Sequence, residues 1–303
     1  MKIVLTGSLG NISKPLAIRL VQLGHTVTVI SSKQERQPEI ESLGAKAAIG
    51  TMQDINFLTQ TFKGADLVYL MEALGHSVFF DHTINMVEAN IEIARNYKQA
   101  IEQSGVKKVI HLSSIGSHLA SGNGILAFHY QAENILQQLP QDVSIKFMRP
   151  VGFYNNLFAF IPGIKATNSI FQNYGGDQKE PWVSPLDIAE VIAEEVEQPF
   201  KGRTFRYIVS EELSPNEVAA ILGGAIGQPD LQWVTISSEQ FVNNAVGIGM
   251  NPQTARGLAE MNEARVNGTL YEHYLQHKPI PGKTKLKDFA QSFAAIYQSN
   301  NNN

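Results

Sequence analysis

Gly7 and Gly10 are the first residues whose types and spacing could do chemistry. They lie in Lys2-Ile3-Val4-Leu5-Thr6-Gly7-Ser8-Leu9-Gly10-Asn11-Ile12-Ser13, an apolar run, a turn and a helix start. Glycine at 7 permits a tight turn, and glycine at 10 leaves no Cβ to block a pyrophosphate. The following helix offers unpaired N–H groups and the positive end of its dipole to phosphate oxygens. Thr6, Gly7, Leu9, Gly10, Asn11 and Ile12 are therefore expected to hold a dinucleotide's phosphates. A lone Gly-x-x-Gly also punctuates empty turns. Here the strand before, the helix after and a second apolar run at 26–30 favour the ligand. Ser13 stands where a third glycine is usual, and it is small enough to let helix and sheet pack closely.

The end of that second run says which dinucleotide fits. NAD(H) calls for a carboxylate on the ribose 2′-hydroxyl, whereas this chain has Ser31, Ser32 and Lys33, then Arg36, with no acid before Glu35. Hydroxyls and cations suit a 2′-phosphate, so NADP(H) is expected ahead of NAD(H). The bland alternative is a solvated basic loop. Ligands sit at the carboxyl ends of parallel strands. Thr51 and Met52 are thus expected near the adenine, with Leu70, Met71, Glu72, Ser113, Ser114, Pro150, Val151, Gly152 and Phe153 completing the crevice. Ser113 and Ser114 are read as hydrogen-bonding the nicotinamide or ribose. No oxyanion loop marks either as a nucleophile. Asp54 reads as a helix cap.

The elements that must position these residues alternate. Strands are expected at 3–6, 26–30, 47–49, 67–71, 108–112 and 144–149, and helices at 15–23, 37–43, 56–62, 83–104 and 126–139. Strands apolar throughout, alternating with helices, predict a Rossmann-type doubly wound parallel sheet of the α/β class. Beyond Arg149 the composition turns to aromatics, Asn and Gly, with helices at 185–198, 215–226, 239–247 and 253–276 and a strand at 203–209. The reading is a nucleotide-binding domain over 1–153, drawing on about 183–212, and a smaller α+β substrate-binding lobe over 154–303. Phe153, Tyr154, Phe158 and Phe160 either wall an acceptor site, where flat conjugated rings stack well, or simply form core. Trp182 and Trp233 read as packing residues. The glycine-bearing stretch 244–257 is a mobile cover or a plain connection. The asparagine tail 300–303 is expected to fray.

Composition removes several classes. The 303 residues carry a net charge of −4, which gives no pull toward nucleic acid or an anionic membrane. No cysteine is present, so disulfides, thiolate metal sites and a cysteine nucleophile are out. The most apolar stretch, 151–171, is broken by Asn155, Asn156, Pro162, Gly163 and Lys165. Met1-Lys2 runs straight into a strand without a leader pattern, and a cytoplasmic protein is expected. His273 and His277 have metal-ligand spacing, but no acid stands between them as in His-Glu-x-x-His, and Lys278-Pro279 follows at once. A solvated helix end is the better reading, and no metal is expected. Oligomeric state stays open.

Several motifs in order resemble the NmrA-like branch of the atypical short-chain dehydrogenase/reductases. They are Val4-Leu5-Thr6-Gly7-Ser8-Leu9-Gly10, Lys63-Gly64-Ala65-Asp66-Leu67-Val68 and Val106-Lys107-Lys108-Val109-Ile110-His111-Leu112-Ser113-Ser114. His129-Tyr130-Gln131-Ala132-Glu133-Asn134-Ile135-Leu136 is similar to that branch's His-x-x-Thr-Glu-x-x-Leu helix, Met148-Arg149-Pro150-Val151-Gly152-Phe153-Tyr154 to its Leu-Arg-Pro-x-x-Phe segment, and Pro181-Trp182-Val183-Ser184-Pro185-Leu186-Asp187-Ile188-Ala189 to its Asp-x-x-Asp-Ile-Ala helix start. The likeness spans roughly residues 2–230. It implies an NADPH-dependent reductase of quinone-like or other conjugated acceptors, or a non-catalytic NADP(H)-binding redox sensor acting through a protein partner.

Most short-chain reductases donate a proton through Tyr-x-x-x-Lys. Here Tyr130 is followed at 134 by asparagine, and the pair in register is His129 and Glu133. Ordinary alcohol oxidoreduction and sugar epimerisation, which need that acid–base pair, are disfavoured. His129 is the candidate catalytic residue, as a weak acid or a ribose ligand oriented by Glu133. The alternative is that both merely cap and pack their helix.

Overall fold

Runs of Val, Ile, Leu and Ala without a polar face must be covered on both sides, and the chain places them accordingly. The computed structural model describes residues 1–299. Its first half alternates β1 (Lys2–Leu5), α1 (Ser13–Gln22), β2 (Thr26–Ser31), α2 (Gln37–Ser42), β3 (Lys46–Ile49), α3 (Ile55–Phe62), β4 (Leu67–Leu70), α4 (Met86–Ser104), β5 (Lys108–Leu112), α5 (Ala127–Gln137) and β6 (Ser144–Pro150). The second half continues with β7 (Gly152–Phe153), α6 (Ile161–Thr167), β8 (Ser169–Gln172), β9 (Glu180–Val183), α7 (Pro185–Glu197), β10 (Arg203–Ile208), β11 (Glu211–Leu213) and α8 (Pro215–Ile226). It closes with β12 (Gln232–Thr235), α9 (Ser238–Gly247), α10 (Pro252–Val266), α11 (Glu272–Gln276) and α12 (Leu286–Ser299).

Among the described residues, seven parallel strands form the central sheet in the order β3-β2-β1-β4-β5-β6-β10. This is the Rossmann-type fold. The winding reverses between β1 and β4, the switch point where such sheets open a ligand crevice. Leu16 and Leu20 of α1 and Ile188 and Ile192 of α7 cover one face, packed on Ile3, Leu5, Val27 and Val29. Leu58, Phe62, Ile93, Tyr97 and Leu136 cover the other, packed on Val4, Val68 and Val109. A third core joins Tyr154, Leu157, Trp182, Leu222, Trp233 and Phe293. Around it lie a three-stranded sheet, β11-β9-β7, and a parallel pair, β12-β8.

Local chemistry explains the boundaries. The Asp54 carboxylate accepts from the Phe57 N–H at 3.0 Å and starts α3, as the cap reading expected. Asn85 accepts from the Glu88 N–H and starts α4 at Met86, later than position 83. Ser214 and Glu217 form a full capping box on α8. The single helix expected over 253–276 is instead two. Asn267 closes α10, and Gly268 at φ +82° turns the chain before α11. The expected tail at 300–303 lies outside the described residues.

Candidate active site

Thr6 is fully buried and staples the two strands that frame the switch point. Its Oγ1 accepts from the Met71 N–H at 2.8 Å, and its own N–H donates to the Tyr69 carbonyl at 3.1 Å. The chain then turns through Gly7 at φ +84°, where a Cβ would lie 2.3 Å from Met71 Sδ and 2.6 Å from Ser13 Oγ. Glycine is required there by handedness and by the packing beneath it. Ser13 donates to the Thr6 carbonyl at 2.9 Å, fixing the helix start to the strand end. A Cβ on Gly10 would sit 3.1 Å from the Gly7 carbonyl oxygen.

Above this turn α1 opens without a cap. Ile12 occupies the N-cap position, no side chain bonds the first amides, and the first turn carries no acid. The Lys14 N–H is taken by the Gly10 carbonyl at 3.0 Å, and the remaining opening amides with the helix dipole make this end attractive to an anion. Gly10 and Asn11 are exposed on the crevice side, while Thr6 and Ile12 are buried and offer only main chain. A glycine turn pressed tightly onto Met71 and Ser13, below an uncapped helix start, fits a dinucleotide phosphate.

At the far end of β2, Ser31 is buried. Its Oγ accepts from Ser8 Oγ at 2.9 Å and from the Lys33 N–H at 3.2 Å. Its hydroxyl shapes the turn. Ser32, Lys33 and Arg36 are exposed. Arg36 Nη1 donates to one Glu39 oxygen at 2.6 Å and Lys14 Nζ to the other at 2.8 Å. Lys14, then Arg36, hold the Glu39 carboxyl below its ordinary range. Sequence reading missed Lys14, because its reach from α1 onto α2 exists only in the fold.

At the carboxyl ends of β4 and β5 two expected ligands are turned into the protein. The Glu72 carboxylate faces inward, its oxygens 3.0 and 3.1 Å from His111 Nε2, with both side chains fully buried. Glu72 therefore lines the crevice with main chain only. Ser113 donates its hydroxyl proton to Glu133 Oε1 at 2.5 Å, leaving only acceptor capacity for a ligand. Arg149 Nε and Nη2 close a bidentate pair on Glu133 at 2.9 and 2.6 Å. The position occupied by lysine in Tyr-x-x-x-Lys thus carries a buried carboxylate neutralised by an arginine from β6. Leu70, Pro150 and Val151 are buried, whereas Thr51 and Ser114 stay reachable. Met52 is held by α4: its sulfur and carbonyl accept from Tyr97 Oη and Asn96 Nδ2.

His129 is half-buried, with Nδ1 buried and unpartnered. Burial, reinforced by the charge on His111, drives its pKa well below the ordinary imidazole value. Burial also disfavours charge on His111, but Glu72 outweighs it and keeps that pKa raised. Beneath these strand ends the two imidazoles are thus biased in opposite directions, His129 toward its neutral form and His111 toward its charged form. At neutral pH His129 can donate or accept a hydrogen bond, but it is not an imidazolium acid.

Of the aromatics read as either acceptor wall or core, two pack on the carboxyl-terminal helix. Tyr154 is fully buried and donates its hydroxyl to Glu211 Oε1 at 2.5 Å. Phe158 packs on Phe289 and Phe293 of α12, with ring centroids 4.9 and 5.9 Å away. Helix α12, which the sequence reading did not foresee, closes over both. Phe153 remains half-buried beside the crevice. Most of 244–257 is helical, and its link is tied down. The Asn251 N–H donates to the Phe79 carbonyl at 2.9 Å and its side chain to Asp81 and Ile84. His273 and His277 stack at 4.3 Å rather than converge on a point, and His118 stacks on His273 at 5.3 Å. His273 is half-buried against Tyr207, so the solvated reading fails for it.

With this geometry in hand, comparison with known proteins decides the family: its model, described as the NmrA-like family, matches residues 1–289. The chain belongs to the NmrA-like family. A Streptomyces griseus relative named (4-alkanoyl-5-oxo-2,5-dihydrofuran-3-yl)methyl phosphate reductase is 25% identical over 228 residues, covering 75% of this chain and 74% of the relative. An Escherichia coli NADPH-dependent quinone oxidoreductase solved with NADPH superposes with a TM-score of 0.78 at 16% identity, covering 96% of this chain and 99% of that one. The Citrobacter sp. triphenylmethane reductase gives 0.77 at 18% identity, covering 97% and 100%. At these identities the solved neighbours establish the fold. No described helix is long and apolar enough to cross a membrane.

Proposed function

We propose that this NmrA-like chain binds NADP(H) across its switch-point crevice and passes hydride to a small quinone-like or otherwise conjugated acceptor. The observation that carries the reading is the uncapped start of α1 above a glycine turn with no room for a Cβ at position 7. Gly7, Gly10 and the first amides of α1 would hold the pyrophosphate. Lys33 and Arg36 would hold the 2′-phosphate, and Ser113, Ser114 and His129 the nicotinamide end. The bound nicotinamide would supply the hydride, and the protein's part is positioning.

The altered acid supports the choice of acceptor. A conjugated acceptor spreads the incoming charge, so water or a weak donor can complete protonation, which suits a neutral His129. The names of the similar proteins point the same way. Two of them reduce quinones and triphenylmethane dyes, and the Streptomyces griseus relative is named for an unsaturated, acyl-bearing lactone.

The second reading, a redox sensor without turnover, draws support from the Ser113 proton already committed to Glu133. Purified protein mixed with NADPH and a panel of quinones and enones separates the two readings. Loss of nicotinamide absorbance is expected. Tight NADPH binding with no oxidation across the panel would leave the sensor. For cofactor choice, Lys33→Glu should weaken NADPH far more than NADH, and equal losses would remove the preference.

A further inference from the structure

Two cations from different elements converge on one carboxylate beside the end of β2. Lys14 comes from the first turn of α1 and Arg36 from the turn before α2, and each takes its own oxygen of Glu39. The side chains of Lys14, Glu39 and Arg36 are 43%, 36% and 44% exposed. We propose that Glu39 is a built-in counter-ion standing in for the cofactor's 2′-phosphate, and that Lys14 is a further cation of that subsite. This rests on the NADP(H) reading above.

The geometry argues it in three steps. The carboxylate marks the point where an anion satisfies both cations at once. A phosphate monoester brings more charge and one more acceptor oxygen than a carboxylate, so it competes for the same donors on better terms. Surface pairs of this exposure are weak, so the exchange of partners costs little. Once displaced, Glu39 is left close to a like charge, and that repulsion opposes 2′-phosphorylated ligands alone. Ser31, whose hydroxyl is spent on Ser8 and Lys33, contributes shape to the subsite and no free donor. Discrimination between NADPH and NADH is then a balance. Lys14, Lys33 and Arg36 pull on the phosphate, and Glu39 sets how strongly Lys14 and Arg36 are already occupied.

Calorimetric titration of the full chain with 2′,5′-ADP and ADP, and with NADPH and NADH, tests this without reference to turnover. Glu39→Gln should tighten 2′,5′-ADP and NADPH about three- to tenfold and leave ADP and NADH within about twofold. Lys14→Met should weaken the phosphorylated pair about tenfold, with Lys14→Arg restoring most of it. All three changes lie on the surface, and circular dichroism checks that the variants fold. Unchanged ratios, or equal shifts for both ligand classes, would overturn the proposal and reduce the triad to a brace between α1 and α2. Wild-type protein binding neither NADPH nor NADH would remove the cofactor reading itself, a different result from a binding protein whose preference ignores Glu39.

Discussion

The pKa values of His129 and His111 move in opposite directions because one has a carboxylate beside it and the other does not, and the difference predicts how stability varies with pH. His129 is held neutral in the folded chain, so the unfolded chain binds more protons once pH drops below the ordinary value of 6.5. That residue's contribution is present above 6.5 and is lost as pH falls toward its depressed folded value. His111 runs the other way: its folded pKa is raised, so its contribution is full below 6.5 and is lost as pH rises through that higher value. Urea melts between pH 5 and 8 should show His129→Leu flattening the acid side of the curve, and an unchanged acid side would refute the assignment. Glu72→Gln removes the charge that holds the His111 pKa up, so the raised-pKa contribution on the alkaline side of the urea-melt curve should disappear in that variant. His129 and Ser113 were legible as site candidates from their motifs. The Glu72–His111 pair was not, because nothing in a linear sequence says that a residue just past the end of β4 turns inward onto one on β5.

At the level of elements, the glycine turn is the sharpest test. Gly7→Ala must adopt φ +84° and displace Met71 Sδ, so a loss of at least about 2 kcal/mol in stability is expected, together with weakened nucleotide binding. Wild-type thermal stability and affinity in that variant would contradict the packing argument. The six strands of the first half and their helix stops were readable because each strand is an apolar run and Gly24, Gly44 and Gly105 end helices at positive φ. The short strands β8, β9 and β12 escaped notice. Ser-Ile-Phe-Gln, Glu-Pro-Trp-Val and Gln-Trp-Val-Thr are too short and mixed to carry a period. Helix α12 escaped as well, and with it the cover over Tyr154 and Phe158. Aromatic residues look alike in sequence whether they line a pocket or fill a core.

Across the whole molecule, α10 ties the second lobe together through one buried ion pair. Arg265 makes two hydrogen bonds to Glu180 at 2.6 and 3.0 Å, lies 3.9 Å over the Tyr174 ring, and shares Glu180 with Tyr271 Oη. Arg265→Met should leave Glu180 buried and unpaired, lowering stability by about 3–5 kcal/mol in chemical denaturation. A neutral effect would mean that the carboxylate had found water. The same helix crosses the strand-to-helix link at Gly124, where a Cβ would meet the Gly257 carbonyl at 1.8 Å.

The last strand of the central sheet is supplied late. β6 ends at Pro150, yet its outer neighbour β10 begins only at Arg203, after the chain has laid down part of the other lobe. While the polypeptide emerges from the ribosome, the rim of the nascent sheet stays open until that distant segment arrives, a long-range closure that slows folding. The amino-terminal half is therefore no portable module. A gene truncated after residue 153 should yield insoluble material, recovered in the pellet, where the intact chain stays in the supernatant.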